Sequence, residues 1–599
     1  MSRCLIIFFS SCLMLLSFCS FSGSSKKPSL SLDIEGVGGE VARNVKARLF
    51  MINTEDTTDN HRLRSRVKAE ITLALEALGY YHCLRSRVKA EITLALEALG
   101  YYHSAINFEF TPKSVLLAKI TLGEPVLIAG IDVMLTGHAK NDPDYQALLK
   151  ETPTIGSILN QGKFDEFVDA LNGLAVSKGY FDAKMNETQL RIALDLNKAF
   201  WKIHFDSGER YRFGKVTFHG SQIKEPYLQN LVPFHIGDNY SADNTAELNR
   251  RLSATNWFSA ALVSPDFGSL KTSQILPLDA VLTPRTKNNV ELGGGYSTSI
   301  GPRLKASWNK PWVNSQGHSL TTKSNLSAAE QNLAFSYRIP LIKNALEEYY
   351  LLQAGLKTSR LNDTKSNTST MNVARFWNFS NGWQPAIHFR WSLEKFTQGK
   401  VDSITGLLYP GISMSKTRQS GEAMPYWGDS QRYSLDISNK KWASDINFEI
   451  IQAQNVWIRT LGKKNRFIVK THLGWIATKD FQRMPPSLRF FAGGDGSIRG
   501  YKLKSISPRD SDHKLTGATK LLTASVEYQY NVMGRWWGAA FVDSGEAVND
   551  IRQSDFKTGV GIGIRWASPV GPIKFDIATP IGDKENKKFQ FYIGLGPEL

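Results

Sequence analysis

The feature that most constrains this chain is a long series of strand-length segments in its C-terminal half, each alternating apolar residues with polar or small ones. From Leu522 to Tyr530, Leu522, Ala524, Val526, Tyr528 and Tyr530 lie opposite Thr523, Ser525, Glu527 and Gln529. From Thr558 to Trp566, Val560, Ile562, Ile564 and Trp566 alternate with Gly559, Gly561, Gly563 and Arg565. Near the end of the chain Phe589, Phe591, Ile593 and Leu595 share one face, and Gln590, Tyr592, Gly594 and Gly596 the other. A period of two puts successive side chains on opposite faces of a strand, so each segment reads as a strand with one apolar side. About sixteen such segments follow Val290, an even number, as bacterial membrane barrels require. Soluble sandwiches alternate too. The aromatic residues favour the membrane, because Trp308, Trp312, Trp377, Trp383, Trp391, Trp427, Trp442, Trp536 and Trp537 read as a girdle near strand ends.

The N-terminus supplies an address. Met1-Ser2-Arg3 followed by the apolar run Cys4 to Phe21 has the form of a secretory signal over residues 1–22, with small Ser20 and Ser22 before a cleavage near Gly23. A lipoprotein reading at Cys19 is disfavoured by bulky Phe18. Cys4, Cys12 and Cys19 then leave with the signal and only Cys83 stays, so no intramolecular disulfide forms. Beyond the signal no run of about 18 apolar residues occurs, so any crossing of a membrane is made by strands. Lys and Arg number 72 against 55 Asp and Glu, a formal charge of +17. The excess is scattered and forms no nucleic-acid motif; anionic lipid headgroups account for it as well.

The segment from Ser29 to Arg285 has another rhythm. Phe164, Phe167, Val168, Leu171, Leu174 and Ala175 make a helical stripe that ends at Gly179-Tyr180-Phe181. Similar ends stand at Gly100-Tyr101-Tyr102 and, more loosely, Asn256-Trp257-Phe258, so a unit recurs every ~78 residues. The units open on strands that end in glycine, as in Val133 to Gly137 and Val216 to Gly220. Three small β-α-α-β-β domains are expected, over residues 29–124, 125–207 and 208–286, ahead of a barrel over 287–599. A second repeat is of a different kind: Leu63 to His82 recurs without change as Leu84 to His103, with Cys83 at the seam. Only one copy can fill the second-helix position of the first domain, with Val88, Ile92, Leu96 and Leu99 as its stripe if the second copy docks.

One connection is out of scale. Residues 478–518 form a loop of about forty residues where most joins are a handful. It contains Leu488-Arg489-Phe490-Phe491-Ala492-Gly493-Gly494-Asp495-Gly496-Ser497-Ile498-Arg499-Gly500-Tyr501. The glycines lack the strand, helix start and lysine of a phosphate loop. An arginine folded back into a barrel lumen needs carboxylates. Glu527 and Asp543, the latter in Phe541-Val542-Asp543-Ser544-Gly545, face the lumen by parity.

Together these features resemble the outer-membrane assembly and secretion barrels that carry POTRA (polypeptide-transport-associated) domains, and among them the TamA family, the outer-membrane subunits of translocation and assembly modules. The residues that carry the resemblance are Ile498, Arg499, Gly500 and Tyr501 in the loop, Phe541, Asp543 and Gly545 in the following motif, and Trp201 in Ala199-Phe200-Trp201. Gly208 to Gly214 and the terminal Phe591 to Leu599 add to it. It implies three periplasmic POTRA domains, a sixteen-stranded antiparallel transmembrane barrel in the outer membrane, and a role in assembling outer-membrane clients such as autotransporters. It also implies an inner-membrane-anchored partner of the TamB type meeting the POTRA domains, and places Glu527 and Asp543 as lumen partners of Arg499. The duplication departs from the family pattern and puts the geometry of partner contact in question.

No catalytic constellation, metal set or cofactor is read from the sequence: the histidines are scattered, and no Ser, His and acid group forms an elbow. The barrel seam, where the first strand meets the last, carries Gly293, Gly294 and Gly295 on one side and Gly594 and Gly596 on the other. Glycine contributes no cross-strand side-chain contact, so this pairing is expected to be weak and to open toward a client strand. A secretion pore of the two-partner type is the alternative, though that type usually has two POTRA domains and a plug helix. A passive porin would need no POTRA array.

Overall fold

A computed structural model describes residues 31–52, 85–111, 115–270, 274–297, 301–421, 424–568, 571–583 and 589–595. The signal, the first repeat copy with Cys83, and Gly596 lie outside the described residues. The chain divides into two compact units, Met1–Arg212 with Asn239–Ala242, and Phe213–Asp238 with Asp243–Leu599.

The N-terminal domains share one topology. The first has β1 (Ser31–Glu35), α1 (Gly39–Ile52), α2 over 85–97, β2 (Ala105–Thr111) and β3 (Val115–Thr121), with sheet order β1-β3-β2. The outer strand β1 runs parallel to β3 and β2 antiparallel to it. The second has β4 (Leu127–Thr136), α3 (Pro143–Leu149), α4 (Gln161–Lys178), β5 (Lys184–Ala193) and β6 (Lys198–Asp206), in the order β4-β6-β5. The third, β7 (Arg212–His219), α5 (Glu225–Gln229), α6 (Ala242–Ala254), β8 (Phe258–Pro265) and β9 (Ile275–Pro284), repeats it as β7-β9-β8.

The stripe on α4 makes the second core. Phe164, Phe167, Leu171 and Ala175 are buried against Trp201, Ile203 and Phe205 of β6. Asn160 caps its start by accepting from Lys163 N at 3.3 Å, and left-handed Gly179 ends it. Gly100 and Asn256 stand at the corresponding ends, also with positive φ. Asn tolerates this region better than other residues with a side chain, which is why the third unit reads more loosely in sequence yet turns at the same point. In the first domain the second repeat copy supplies the docked helix: Val88, Ile92 and Leu96 are buried with Val45 and Leu49 of α1.

The barrel is one sheet of sixteen strands in sequence order, from β10 (Asn289–Ser297) to β25 (Gln590–Leu595). Every sequential pair is antiparallel, as in the ladder Val290↔Trp308 between β10 and β11 (Gly301–Lys310). On β21 (Lys520–Met533) the alternation is complete from Leu521 to Tyr530, odd-numbered residues buried and even-numbered ones outward. The third domain docks on the near rim: Trp257 Nε1 donates to Gly317 O at 2.9 Å and Asn230 Nδ2 to Ile342 O at 2.7 Å. The short link to β10 is fastened as well. Arg285 N donates to Trp257 O at 2.9 Å, Trp312 Nε1 to Arg285 O at 2.9 Å, and Trp308 Nε1 to Asn288 Oδ1 at 3.3 Å.

Seven of the nine tryptophans read as a girdle share one rim. Trp308, Trp312, Trp377, Trp383, Trp427, Trp536 and Trp537 stand at strand ends or turns on the rim that holds the third domain. Trp442 is at the far rim, and Trp391 is not at an end at all: it lies midway along β16 (Gln384–Gln398), on the outward face. Alternation fixes the face a residue occupies but not its height, and height is what a girdle requires.

Candidate functional site

The loop between β20 (Asn465–Ala477) and β21 lies against the inner wall and brings its own apolar core. Met484, Phe490, Ala492, Ile498 and Tyr501 are buried with lumen-facing Leu407, Tyr409, Phe448, Ile450 and Leu521 of the wall. Two arginines anchor it by different chemistry. Arg489 sits among backbone carbonyls, donating to Met484 O, Thr516 O and Gln482 O at 2.7 to 2.9 Å. Burial pulls its pKa down to about 10, with the charge of Glu394 opposing.

Arg499 instead meets carboxylates. Its Nε and Nη2 donate to Asp543 Oδ2 and Oδ1 at 2.7 and 2.9 Å, a bidentate pair, and its backbone N donates to Asp543 Oδ2 at 2.9 Å. Its Nη1 reaches Glu527 Oε2 at 2.6 Å and Asp576 Oδ2 at 3.3 Å. The guanidinium lies 3.3 Å from the centroid of the Phe541 ring. Burial disfavours its charge, but the hydrogen bonds and charges of Asp543, with Glu527 and Asp576, raise its pKa above the ordinary arginine value.

The strand register explains why these groups converge. Between β21, β22 (Trp536–Val548), β23 (Lys557–Ser568) and β24 (Gly571–Ile581), one row holds Glu527, Phe541, Gly561 and Ala578. The next holds Ser525, Asp543, Gly559 and Pro580; the row on the other side holds Gln529, Ala539, Gly563 and Asp576, and continues to Tyr592 on β25. A second arginine, Arg565 on β23, closes the network, donating through Nη2 to Glu527 Oε1 at 2.8 Å and through Nη1 to Asp576 Oδ1 at 2.5 Å. Two guanidinium groups thus face three carboxylates. Tyr592 clamps the loop backbone: its hydroxyl accepts from Gly500 N at 3.0 Å and donates to Tyr501 O at 2.8 Å.

The β23 glycines make this packing possible. A Cβ on Gly559 would sit 1.7 Å from Arg499 O, one on Gly561 2.4 Å from the Phe541 ring, and one on Gly563 1.9 Å from Asp576 Oδ1. Gly545, the last residue of the Phe541 motif, is crowded too, by Leu522 O at 2.3 Å. Asp576, Arg565 and Tyr592 escaped the sequence reading, although Arg565 stood on the small-residue face as a charge without an assigned partner. Among the described residues no group of three or more His, Cys, Asp or Glu is arranged to hold a metal ion.

Across the lumen the loop is held chiefly by bonds in which one partner at least is a backbone group, and at the rim by the Lys400–Asp512 ion pair at 2.6 Å. Asn362 Nδ2 donates to Leu503 O at 2.9 Å, Leu515 N to Asp363 Oδ2 at 2.9 Å, and Thr405 Oγ1 to Arg483 O at 2.7 Å. The loop therefore bridges opposite walls. At the seam the sheet order ends: among the described residues no ladder joins β10 to β25. Among the described residues, a Cβ on Gly293 or Gly594 would meet no atom within 4 Å beyond its chain neighbours, one on Gly294 only a leucine methyl at 4.0 Å, and one on Gly295 the Arg303 side chain at 3.1 Å.

Comparison with known proteins places this geometry. The model for the Omp85 superfamily domain matches residues 286–598, that for POTRA domain TamA domain 1 residues 31–83, and the POTRA model (surface antigen variable number repeat) residues 211–285. The chain is 20% identical to the outer membrane protein assembly factor BamA of Neisseria meningitidis serogroup B, over 82% of this chain and 81% of that one. It is 32% identical over 126 residues to the BamA of Nitratidesulfovibrio vulgaris, 18% of this chain and 16% of the relative. The crystal structure of BamA from Haemophilus ducreyi lacking POTRA domains 1–3 superposes with a TM-score of 0.68 at 16% identity, covering 79% of this chain and 99% of that one.

Proposed function

Because the chain belongs to the Omp85 superfamily, as an integral outer-membrane barrel with periplasmic POTRA domains, we propose that it inserts and folds β-barrel clients through the seam between β10 and β25. The observation that carries this reading is that, among the described residues, β10 and β25 lie side by side with no ladder between them, and that a side chain on Gly293 or Gly594 there would enter open space. An unpaired strand edge is a template for another strand, so a client hairpin gains backbone hydrogen bonds there. The seam side is also short: β10, β11 and β12 (Ser319–Ser327) have 9, 10 and 9 residues, whereas β17 (Val401–Ser420), in the opposite wall, has 20. Short strands thin the nearby bilayer and lower the barrier to insertion.

Within the superfamily we assign a TamA-type role, with autotransporters among the clients and a TamB-like inner-membrane-anchored partner at the POTRA domains. The match of residues 31–83 to the first TamA POTRA model supports it. A pore that passes unfolded substrate through the lumen is the weaker reading, because the loop spans that lumen from wall to wall. The test is a disulfide across the seam, Leu292→Cys with Ile593→Cys. The oxidised barrel is expected to keep its heat-modifiable migration and lose client insertion into vesicles, with recovery on reduction. Insertion at the normal rate with the seam locked would end the lateral-opening mechanism.

A further inference from the structure

The outward faces of four neighbouring strands, β14 (Glu348–Leu361), β15 (Thr364–Trp377), β16 and β17, carry a pattern that client insertion does not use. Toward the outer rim, Thr358, Asn367, Lys395 and Ile404 form one row and Arg360, Lys365, Thr397 and Asp402 the next. Arg360, Lys365 and Lys395 are exposed and border a groove of about 760 Å³. None of the three has a side-chain partner among the described residues. Asp402, the lone acid in these rows, already accepts from Thr397 Oγ1 at 2.5 Å.

The opposite end of the same strands is different. There Arg375 is paired with Glu348 at 2.7 Å and lies over Trp377. Between the two levels the outward face is apolar, with Leu356, Met371, Val373, Phe389, Trp391 and Leu393. Lys395 and Ile387, the register partner of Arg375, are eight residues apart on β16, roughly 26 Å along a strand. With the usual tilt of a membrane barrel strand that spans most of the hydrocarbon layer. The inner-rim cation brings its own counter-ion. The outer-rim cations Arg360, Lys365 and Lys395 face the headgroup level of the outer leaflet without one among the described residues.

We propose that this patch binds the phosphate-bearing headgroup of an acylated glycolipid of the outer leaflet. Arginine offers a planar fork for phosphate oxygens and lysine a mobile point charge, so together they suit phosphate monoesters. Asn367 adds an amide NH2 for a sugar, and the hydroxyl oxygens of Thr358 and Thr397, whose protons go to Asn367 and Asp402, add acceptors. The acyl chains would lie along Leu356, Met371 and Leu393 beneath, so the site takes the lipid and not a free anion.

The test uses the full-length protein in nanodiscs of phosphatidylethanolamine doped with diphosphorylated lipid A or with its fully dephosphorylated form, and counts retained lipid after extraction by native mass spectrometry. The wild type is expected to retain the diphosphorylated lipid about tenfold over the dephosphorylated one. The Arg360→Ala, Lys365→Ala, Lys395→Ala triple variant is expected to lose that preference, Lys395→Gln alone to reduce it, and Lys441→Ala, elsewhere on the outer rim, to keep it. Since the three side chains have no partner among the described residues, heat-modifiable migration should be unchanged. Equal retention by wild type and triple variant, equal retention of the two lipids, or displacement of the lipid by millimolar inorganic phosphate would each overturn the proposal.

Discussion

Two glycine-rich stretches lie a few strands apart in the same barrel, and they do opposite things. On β23, Gly559, Gly561 and Gly563 are pressed by a backbone carbonyl, an aromatic ring and a carboxylate. At the seam, a Cβ on Gly293 or Gly594 would point into open space among the described residues. The first set is required by the volume of its neighbours; the second removes side-chain contact where contact would hold two strands together. The same residue type thus makes room for a tightly packed wall in one place and withholds side-chain contact in the other. Composition alone does not tell these apart; what stands opposite each glycine does.

The contrast has consequences of graded size. The greatest is expected from Gly559→Val, which drives a methyl-bearing carbon into the Arg499 carbonyl. The loop should leave the lumen or the barrel fail to fold, read as loss of heat-modifiable migration and as new protease cleavage between residues 478 and 518. A fully folded, protease-resistant variant would show that the β23 wall is not tightly fitted. Next comes Arg499→Ala, which leaves Asp543 buried without its cation, while Glu527 keeps Arg565. Breaking a buried pair costs about 3–5 kcal/mol, less where lumen water reaches the carboxylates. Urea unfolding from vesicles, followed by tryptophan fluorescence, measures it, and a loss below about 1 kcal/mol would show an anchor of little strength. The smallest change, and the one of opposite sign, is expected at the seam. Gly293→Ala with Gly594→Ala should raise stability by about 0.5–1 kcal/mol per site through reduced chain entropy, while slowing client insertion. If these alanines destabilise the barrel as the β23 substitution does, the two stretches are not different in kind.

Much of the wall was legible because a strand's period is short and local. The faces of Glu527 and Asp543 follow from parity alone, and the structure sets Arg499 between them. Asp576, Arg565 and Tyr592 also have the right parity, but their height relative to Arg499 depends on the register of three further ladders. Register is a long-range property that no local pattern encodes. Trp391 shows the same gap from the outside: its face is apparent, its level in the membrane is not. The exact duplication is a limit of another sort. Two identical segments have identical helical stripes, so hydrophobicity cannot choose between them. The described structure docks the second copy, which runs into β2 at Ala105 within two residues of His103. Chain connection, not side-chain preference, favours that copy.

The fastening of residues 285–288 bears on how force travels. A slack tether between the third POTRA domain and β10 would let that domain swing without disturbing the membrane part. Here Trp257, Trp308 and Trp312 hold both ends of the link and bind the domain to the hairpin after β11. A pull on the third domain is therefore delivered with little compliance to the first residues of β10, as a lever delivers torque to its pivot.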